Sequence, residues 1–156
     1  MADPIKEQLV AHVKTTLQGI TTGAGYQQTV VRVFDPGEAQ AAVNVDEYPS
    51  LLIVDGGEVS QRHLRGAYEN RLTLQVRAFL RQADEVMRGV ELARLAHDVQ
   101  KVLKVDETRG GKAKKTFLRA ALPSRNEDVS SWGVELVTLE VLYRVERANP
   151  YATTEI

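Results

Sequence analysis

The sequence contains no cysteine. This absence excludes disulfide bonds, catalytic thiolates and the zinc and iron–sulfur sites that cysteine builds. Long hydrophobic runs are missing too, because no apolar stretch approaches the roughly 20 residues that span a bilayer. The opening residues MADPIKEQLV also lack the apolar region of a signal peptide. We therefore expect a protein that is neither secreted nor membrane-bound.

The sequence also lacks an excess of charge of either sign. Its 20 Lys and Arg residues nearly balance 21 Asp and Glu residues, and a net charge of −1 neither draws the whole chain to nucleic acid nor repels it. The apolar fraction of 43% is ordinary for a globular protein. We expect one domain over residues 1–156, with its core at about 4–147 and a flexible tail at 148–156.

Two long segments, 68–81 and 132–147, alternate between apolar and polar residues. This period predicts strands with one buried and one wet face. If the two strands are neighbours, Arg71 or Arg77 can pair with Glu140 or Glu146 across them.

Two other segments show helical spacing. Apolar residues recur every four positions after Asp3 and Pro4, a pair typical of a helix start, and predict a helix at 4–18. A broader apolar stripe predicts a longer helix at about 83–105. Together these elements favour an α+β fold, a mainly antiparallel β-sheet with two α-helices packed on one face as a two-layer sandwich.

The remaining segments are shorter. Glycine, proline and β-branched residues divide them into strands, turns and loops. The predictions are a strand at 26–34, a turn at 35–37, a weak strand or extended loop at 39–45, a short strand after Pro49, a hairpin turn at 55–58 with a return arm at 58–64, a polar loop at 106–115, a strand at 116–122 and a connection at 123–131.

The side chains that could take part in catalysis or bind a metal do not form a recognisable site. His12, His63 and His97 are not at metal-ligand spacing from one another. Acidic pairs lie at turns and helix starts, where they serve capping and solubility. No glycine-rich stretch has the spacing or the strand-to-helix context of a phosphate-binding loop. We predict no catalytic, cofactor-binding or metal-binding residue, and therefore no enzyme.

One local excess of positive charge is present in RGGKAKKTFLR. Glycines give this segment freedom and its cations favour acidic partners. Either it is a solvated loop, or it docks on an acidic protein surface or on passing DNA. Its cations are Arg109, Lys112, Lys114, Lys115 and Arg119.

The order of these segments resembles a family of phage proteins. The helix PIKEQLVAHVKTTLQ, the turn YPSLLIVDGGE, the strand YENRLTLQVRAFLR, the helix DEVMRGVELARLAHDVQKVL and the ending LEVLYRVERANPY together resemble the tail-terminator (tail-completion, minor tail protein U-like) proteins of long-tailed bacteriophages. The similarity spans about residues 4–147.

This resemblance implies a structural role in the virion tail or neck, assembled in the host cytoplasm. Such proteins form a ring, usually a hexamer, that caps the tail tube protein and offers a surface to the head-side connector protein. DNA passes through the lumen without specific binding, and no cofactor or membrane takes part. On this reading the polar strand face with Thr73, Gln75, Arg77, Glu140 and Arg144 is lumen or inter-subunit surface; otherwise it is a simple solvent face.

Two other functions stay open. A head–tail joining or neck protein of the same fold would share every feature above. A nucleic-acid-binding module would use the basic segment 109–119, and its binding to duplex DNA would weaken steeply with salt.

Overall fold

A computed structural model describes residues 4–43, 46–62, 67–120, 134–146 and 149–153. Its main elements are α1 (Ile5–Gln18), β1 (Arg32–Phe34), α2 (Ala39–Val43), β2 (Ser50–Arg62), β3 (Ala67–Phe79), α3 (Glu85–Leu103), β4 (Lys115–Ala120), β5 (Val134–Glu146) and β6 (Asn149–Thr153). The strands form one sheet in the order β1-β2-β3-β5-β4, and β6 pairs with β5. Among the strands of the described residues, only the β1–β2 pair is parallel.

The two long helices lie on one face of this sheet, which confirms the predicted fold class. Leu9, Val13 and Leu17 of α1 are buried against the sheet because they repeat every four residues along one helix face. The core also takes Leu95 and Val99 of α3. The inward side chains of β3 and β5 complete it, and they are Leu72, Leu74, Val76, Ala78, Val137, Leu139, Val141, Tyr143 and Val145.

A smaller cluster covers one end of the opposite face. Ala42 of α2 packs there with Phe34, Leu52 and Phe79. The sequence predicts a weak strand or loop at 39–45, and this is wrong for 39–43. The helix forms because Asp35 and Glu38 make a capping box just before it, and because alanine is the best helix former.

The hairpin turn predicted at 55–58 is also wrong. The chain continues through these residues as one strand, β2, and the pairing with β3 shifts register between Asp55 and Glu58. Gly57 has φ 103°, so the two glycines form a bulge instead of a turn. Glycine pairs suit both bulges and hairpin turns, so the sequence does not distinguish them. Here β2 pairs with the long strand β3 on both sides of the glycines, and this pairing makes the segment a bulge.

Two further predictions change in extent. Of the segment predicted as a strand at 26–34, only Arg32–Phe34 forms one. The backbone N–H groups of Gln27 and Gln28 instead donate hydrogen bonds to the Asp98 carboxylate. The tail predicted from 148 onward contains β6, which pairs with the end of β5. The connection predicted at 123–131 lies outside the described residues.

Candidate interaction surface

The polar side of the sheet is the main candidate for contact with other molecules. We call it the outer face: the side of β2, β3, β5 and β4 that points away from α1 and α3. Register places Gln75 opposite Thr138, Thr73 opposite Glu140, and Glu69 opposite Arg144. β4 adds Lys115, Phe117 and Arg119 to the same side. The sequence-predicted residues Arg77, Glu140 and Arg144 therefore share one surface.

Ion pairs cross the strands on this outer face. Arg71 Nη1 lies 2.9 Å from Glu140 Oε1, which confirms the pairing predicted between these strands. The two residues are diagonal neighbours, because Glu140 stands directly opposite Thr73. Arg144 and Glu69 are directly opposite and 3.3 Å apart. Cross-strand pairs of this kind contribute roughly 0.2–1 kcal/mol each.

Two apolar side chains also stand exposed on the outer face. Val59 of β2 is 68% exposed and Phe117 of β4 is 47% exposed. Lys115 Nζ lies 5.2 Å from the centroid of the Phe117 ring. Neither residue belongs to the set predicted from the sequence as contact residues. For Phe117 a signal exists, because alternation along β4 places it on the same side as Lys115 and Arg119, away from the core.

Arg109 is not a surface residue, so its prediction as a contact residue is wrong. Its side chain is fully buried at the end of α3, where Nη2 donates hydrogen bonds to the carbonyl oxygens of Leu103 and Asp106. A cation there satisfies backbone acceptors that a helix C-terminus leaves unpaired. Burial lowers the pKa of Arg109. The basic sequence around Arg109 gives no sign that its side chain is buried. In the structure Arg109, Gly110 and Gly111 all have positive φ, which marks the turn that the side chain supports.

The turn around Arg109 is built by Asp106. Its carboxylate accepts hydrogen bonds from the hydroxyl and backbone N–H of Thr108 and from the N–H of Gly110. These bonds, the Thr108 hydroxyl first, lower the pKa of Asp106 to about 2. His12 Nε2 lies 3.7 Å from the same carboxylate. Burial, Arg109 and Lys112 together outweigh Asp106 and lower the pKa of His12.

The remaining basic residues divide into two groups. Lys115 and Arg119 lie on the outer face, whereas Lys112 and Lys114 belong to the turn that leads into β4. Lys114, Lys115 and Arg119 are exposed, and Lys112 is partly buried. Four of the five predicted cations therefore reach the surface, but not as one patch.

Within the described ranges, no group of three or more His, Asp or Glu side chains is placed to hold a metal ion. The helices in that same part of the chain are all too short or too polar to cross a membrane. His63 lies outside the described residues.

Comparison with known proteins does not assign the chain to a family. No protein-family model matches it, and no curated protein matches its sequence.

Proposed function

We propose that this protein is a tail terminator of a long-tailed bacteriophage. Its subunits close into a ring, a hexamer, on the end of the tail tube, stop tube growth and offer a surface to the head-side connector. The observation that carries the proposal is the outer face, a broad sheet surface with crossing ion pairs and no helix over β5 and β4 among the described residues.

The physical argument concerns what a ring subunit needs. It needs a hydrated surface toward a channel through which DNA passes, and flat surfaces for its neighbours. A sheet that buries its core under helices on one side leaves its other side available for both tasks. The outer face combines paired charges with exposed Val59 and Phe117, a composition suited to contact with protein as well as water.

Ring closure also explains how growth stops. A head-to-tail contact between identical subunits ends when the rotation closes, and leaves no open end to extend. The subunit then has to match the tail tube on one side of the ring only. The order of helices and strands along the chain, which resembles tail terminators over about residues 4–147, supports this assignment.

Electron microscopy of phage particles that lack the protein tests the function. We expect tails of abnormal length without heads, because nothing stops tube polymerisation. Tails of normal length beside detached, filled heads would assign the protein to head–tail joining instead. Sedimentation velocity and negative-stain microscopy of the purified protein test the ring separately. A protein that stays monomeric both alone and on tube ends would contradict the proposal.

A second candidate is a nucleic-acid-binding module, because four cations of the basic segment remain at the surface. Binding to duplex DNA that falls steeply with salt would favour it. Replacing Lys112, Lys114 and Lys115 by Gln would then abolish binding and flatten the salt dependence. A protein that binds no DNA at low salt would exclude this candidate.

A further inference from the structure

Among the described residues, one edge of β2 has no strand beside it over most of its length. β1 pairs only with Ser50–Leu52, and in the described part of the chain no strand continues along Ile53–Arg62 on that side. The chain leaves the sheet at Pro36, where the short 3₁₀ helix Pro36–Glu38 begins. Residues 55–62 of β2 are all exposed. Such an edge presents a row of backbone N–H and C=O groups to any strand that approaches.

Two pockets flank this edge where β1 ends, one on each side of the sheet. The outer pocket, about 440 Å³, is lined by Pro36, Ala39, Leu52, Val54, Gln75 and Arg77. The helix-side pocket, about 350 Å³, is lined by Lys6, Glu7, Val10, Ala11 and Asp35. Pro36 and Asp55 belong to both pockets, so the two openings meet at the free edge.

This arrangement suits an added strand. Successive side chains of a strand point to opposite faces, so two adjacent residues would enter the two pockets. In strand addition the backbone hydrogen bonds supply affinity, and pockets for alternate side chains supply specificity. The outer pocket suits an apolar side chain, because Ala39, Leu52 and Val54 form its wall.

The helix-side pocket suits a basic side chain. Its lining holds the carboxylates of Glu7, Asp35 and Asp55 and the ammonium group of Lys6, and the ammonium group of Lys14 reaches Asp35 from outside this lining. Lys6 lies 2.8 Å from Asp55, and Lys14 lies 2.9 Å from Asp35. Glu7 is exposed and has no ion pair within the described residues. A Lys or Arg can lay its stem along Val10 and Ala11 and place its charge beside Glu7.

We propose that the free edge of β2 binds an extended segment of another protein as an added strand, with an apolar side chain in the outer pocket and an adjacent Lys or Arg in the helix-side pocket. The segment carries no proline where it pairs, because proline cannot donate to the ladder. The proposal does not rest on the proposed ring, although the outer pocket shares Gln75 and Arg77 with the outer face.

The test uses the full chain and a fluorescein-labelled, end-blocked octapeptide, Ser-Thr-Val-Ile-Lys-Val-Thr-Ser. We expect saturable binding in fluorescence anisotropy and slower amide hydrogen exchange within residues 56–62. The same peptide with proline in place of isoleucine should not bind. A displayed library of random octapeptides should enrich sequences with an apolar residue beside a Lys or Arg.

Matched variants connect binding to the pockets. Ala11→Trp fills the helix-side pocket and should weaken binding about tenfold or more. Thr15→Trp, one turn later on α1, is exposed and outside that pocket, and should leave binding unchanged. Glu7→Lys should weaken binding of the peptide that carries lysine. It should strengthen binding of the same peptide with glutamate in place of that lysine.

Three results would overturn the proposal. One is a library that enriches no sequence competing with the octapeptide. Another is binding that survives Ala11→Trp or tolerates proline. The third is self-association of the protein that Ala11→Trp abolishes, because the edge would then pair with a second copy of this chain. None of these results bears on tail length in particles that lack the protein, which tests the ring proposal.

Discussion

Arg109 shows how one side chain can hold a turn from within. Its guanidinium is buried, and one of its nitrogens bonds carbonyl oxygens at the end of α3. Its other two nitrogens, Nε and Nη1, find no partner among the described residues. Arg109 therefore stabilises the fold through the carbonyl oxygens that it hydrogen-bonds and through the space that its side chain fills.

Removing Arg109 should destabilise the protein. We expect Arg109→Ala to lower the free energy of unfolding by roughly 2–4 kcal/mol, because it leaves a cavity and unpaired carbonyls. Lys114→Ala, at an exposed position of the same basic segment, should change it little. Urea unfolding compares the two variants. Equal stabilities would contradict the structural role of Arg109.

Asp106 should make stability depend on pH in acid. Its pKa in the folded protein is about 2, below the ordinary value of 3.8. A lowered pKa stabilises the fold above pH 4, and this stability is lost as the pH falls from about 4 to about 2. Asp106→Asn removes the titrating group, so its unfolding free energy should vary less across this window.

Urea unfolding at a series of pH values measures this effect. Asp46→Asn is the control, since Asp46 is exposed and makes none of the three hydrogen bonds of Asp106. If Asp106→Asn and the unchanged protein lose stability with the same slope between pH 4 and pH 2, the carboxylate does not hold the turn.

At the scale of elements, α3 fastens the irregular segment before β1. Asp98 is buried among the apolar residues of α3 and accepts hydrogen bonds from the N–H groups of Gln27 and Gln28. The Gln28 side chain donates to the carbonyl of Glu91 on the same helix. An aspartate in the core stripe of a helix is thus a link between two elements.

Asp98→Ala should loosen this link. It leaves two backbone N–H groups without an acceptor, and we expect a loss of about 2–3 kcal/mol in unfolding free energy. Amide hydrogen exchange at Gln27 and Gln28 should accelerate more than in the strands. Asp98→Asn keeps one acceptor oxygen and should fall between. Unchanged exchange at the two glutamines would show that the link is not needed.

The bulge in β2 makes a second prediction at this scale. Gly57 has φ 103°, a backbone region that residues with a Cβ rarely adopt, so Gly57→Ala should cost at least about 1 kcal/mol. Gly37→Ala is the control, because a Cβ there meets open space without positive φ. Thermal unfolding should separate the two variants. A stable Gly57→Ala would mean that the strand passes these residues without this bulge.

For the whole molecule, the outer face joins the fold to the proposed assembly. Charge reversal at Arg77 and Glu140 should reduce ring formation, because both residues lie on the outer face that the proposed ring would use. Glu140→Lys also breaks the pair with Arg71. Reversal at Lys101, on α3 on the other side of the sheet, is the control.

Sedimentation velocity measures the fraction of protein in rings, and circular dichroism checks that each variant is folded. If the folded double variant of Arg77 and Glu140 still forms rings and joins tails, the outer face is not the surface through which subunits contact one another. The proposed function would then need another surface, and particles lacking the protein would still report on it.

Periodic segments made much of the fold predictable. The alternation in β3 and β5 and the helical spacing in α1 and α3 each extend over more than ten residues, so local physics and core packing agree. The pairing of Arg71 with Glu140 followed from the same alternation. Segments near glycine, alanine and proline were predicted less well, because several backbone forms suit them equally.

The sequence by itself determined which apolar residues of the long helices and strands face the core, the α+β class and the polar character of the outer face. Period and side-chain chemistry act locally, and they leave little choice over long segments. Only the tertiary structure decided that residues 55–58 bulge instead of turning, that Arg109 lies inside, and that β2, within the described part of the chain, keeps a free edge between two pockets. These outcomes depend on partners distant in the chain, such as β3, α3 and α1, whose positions no local pattern records.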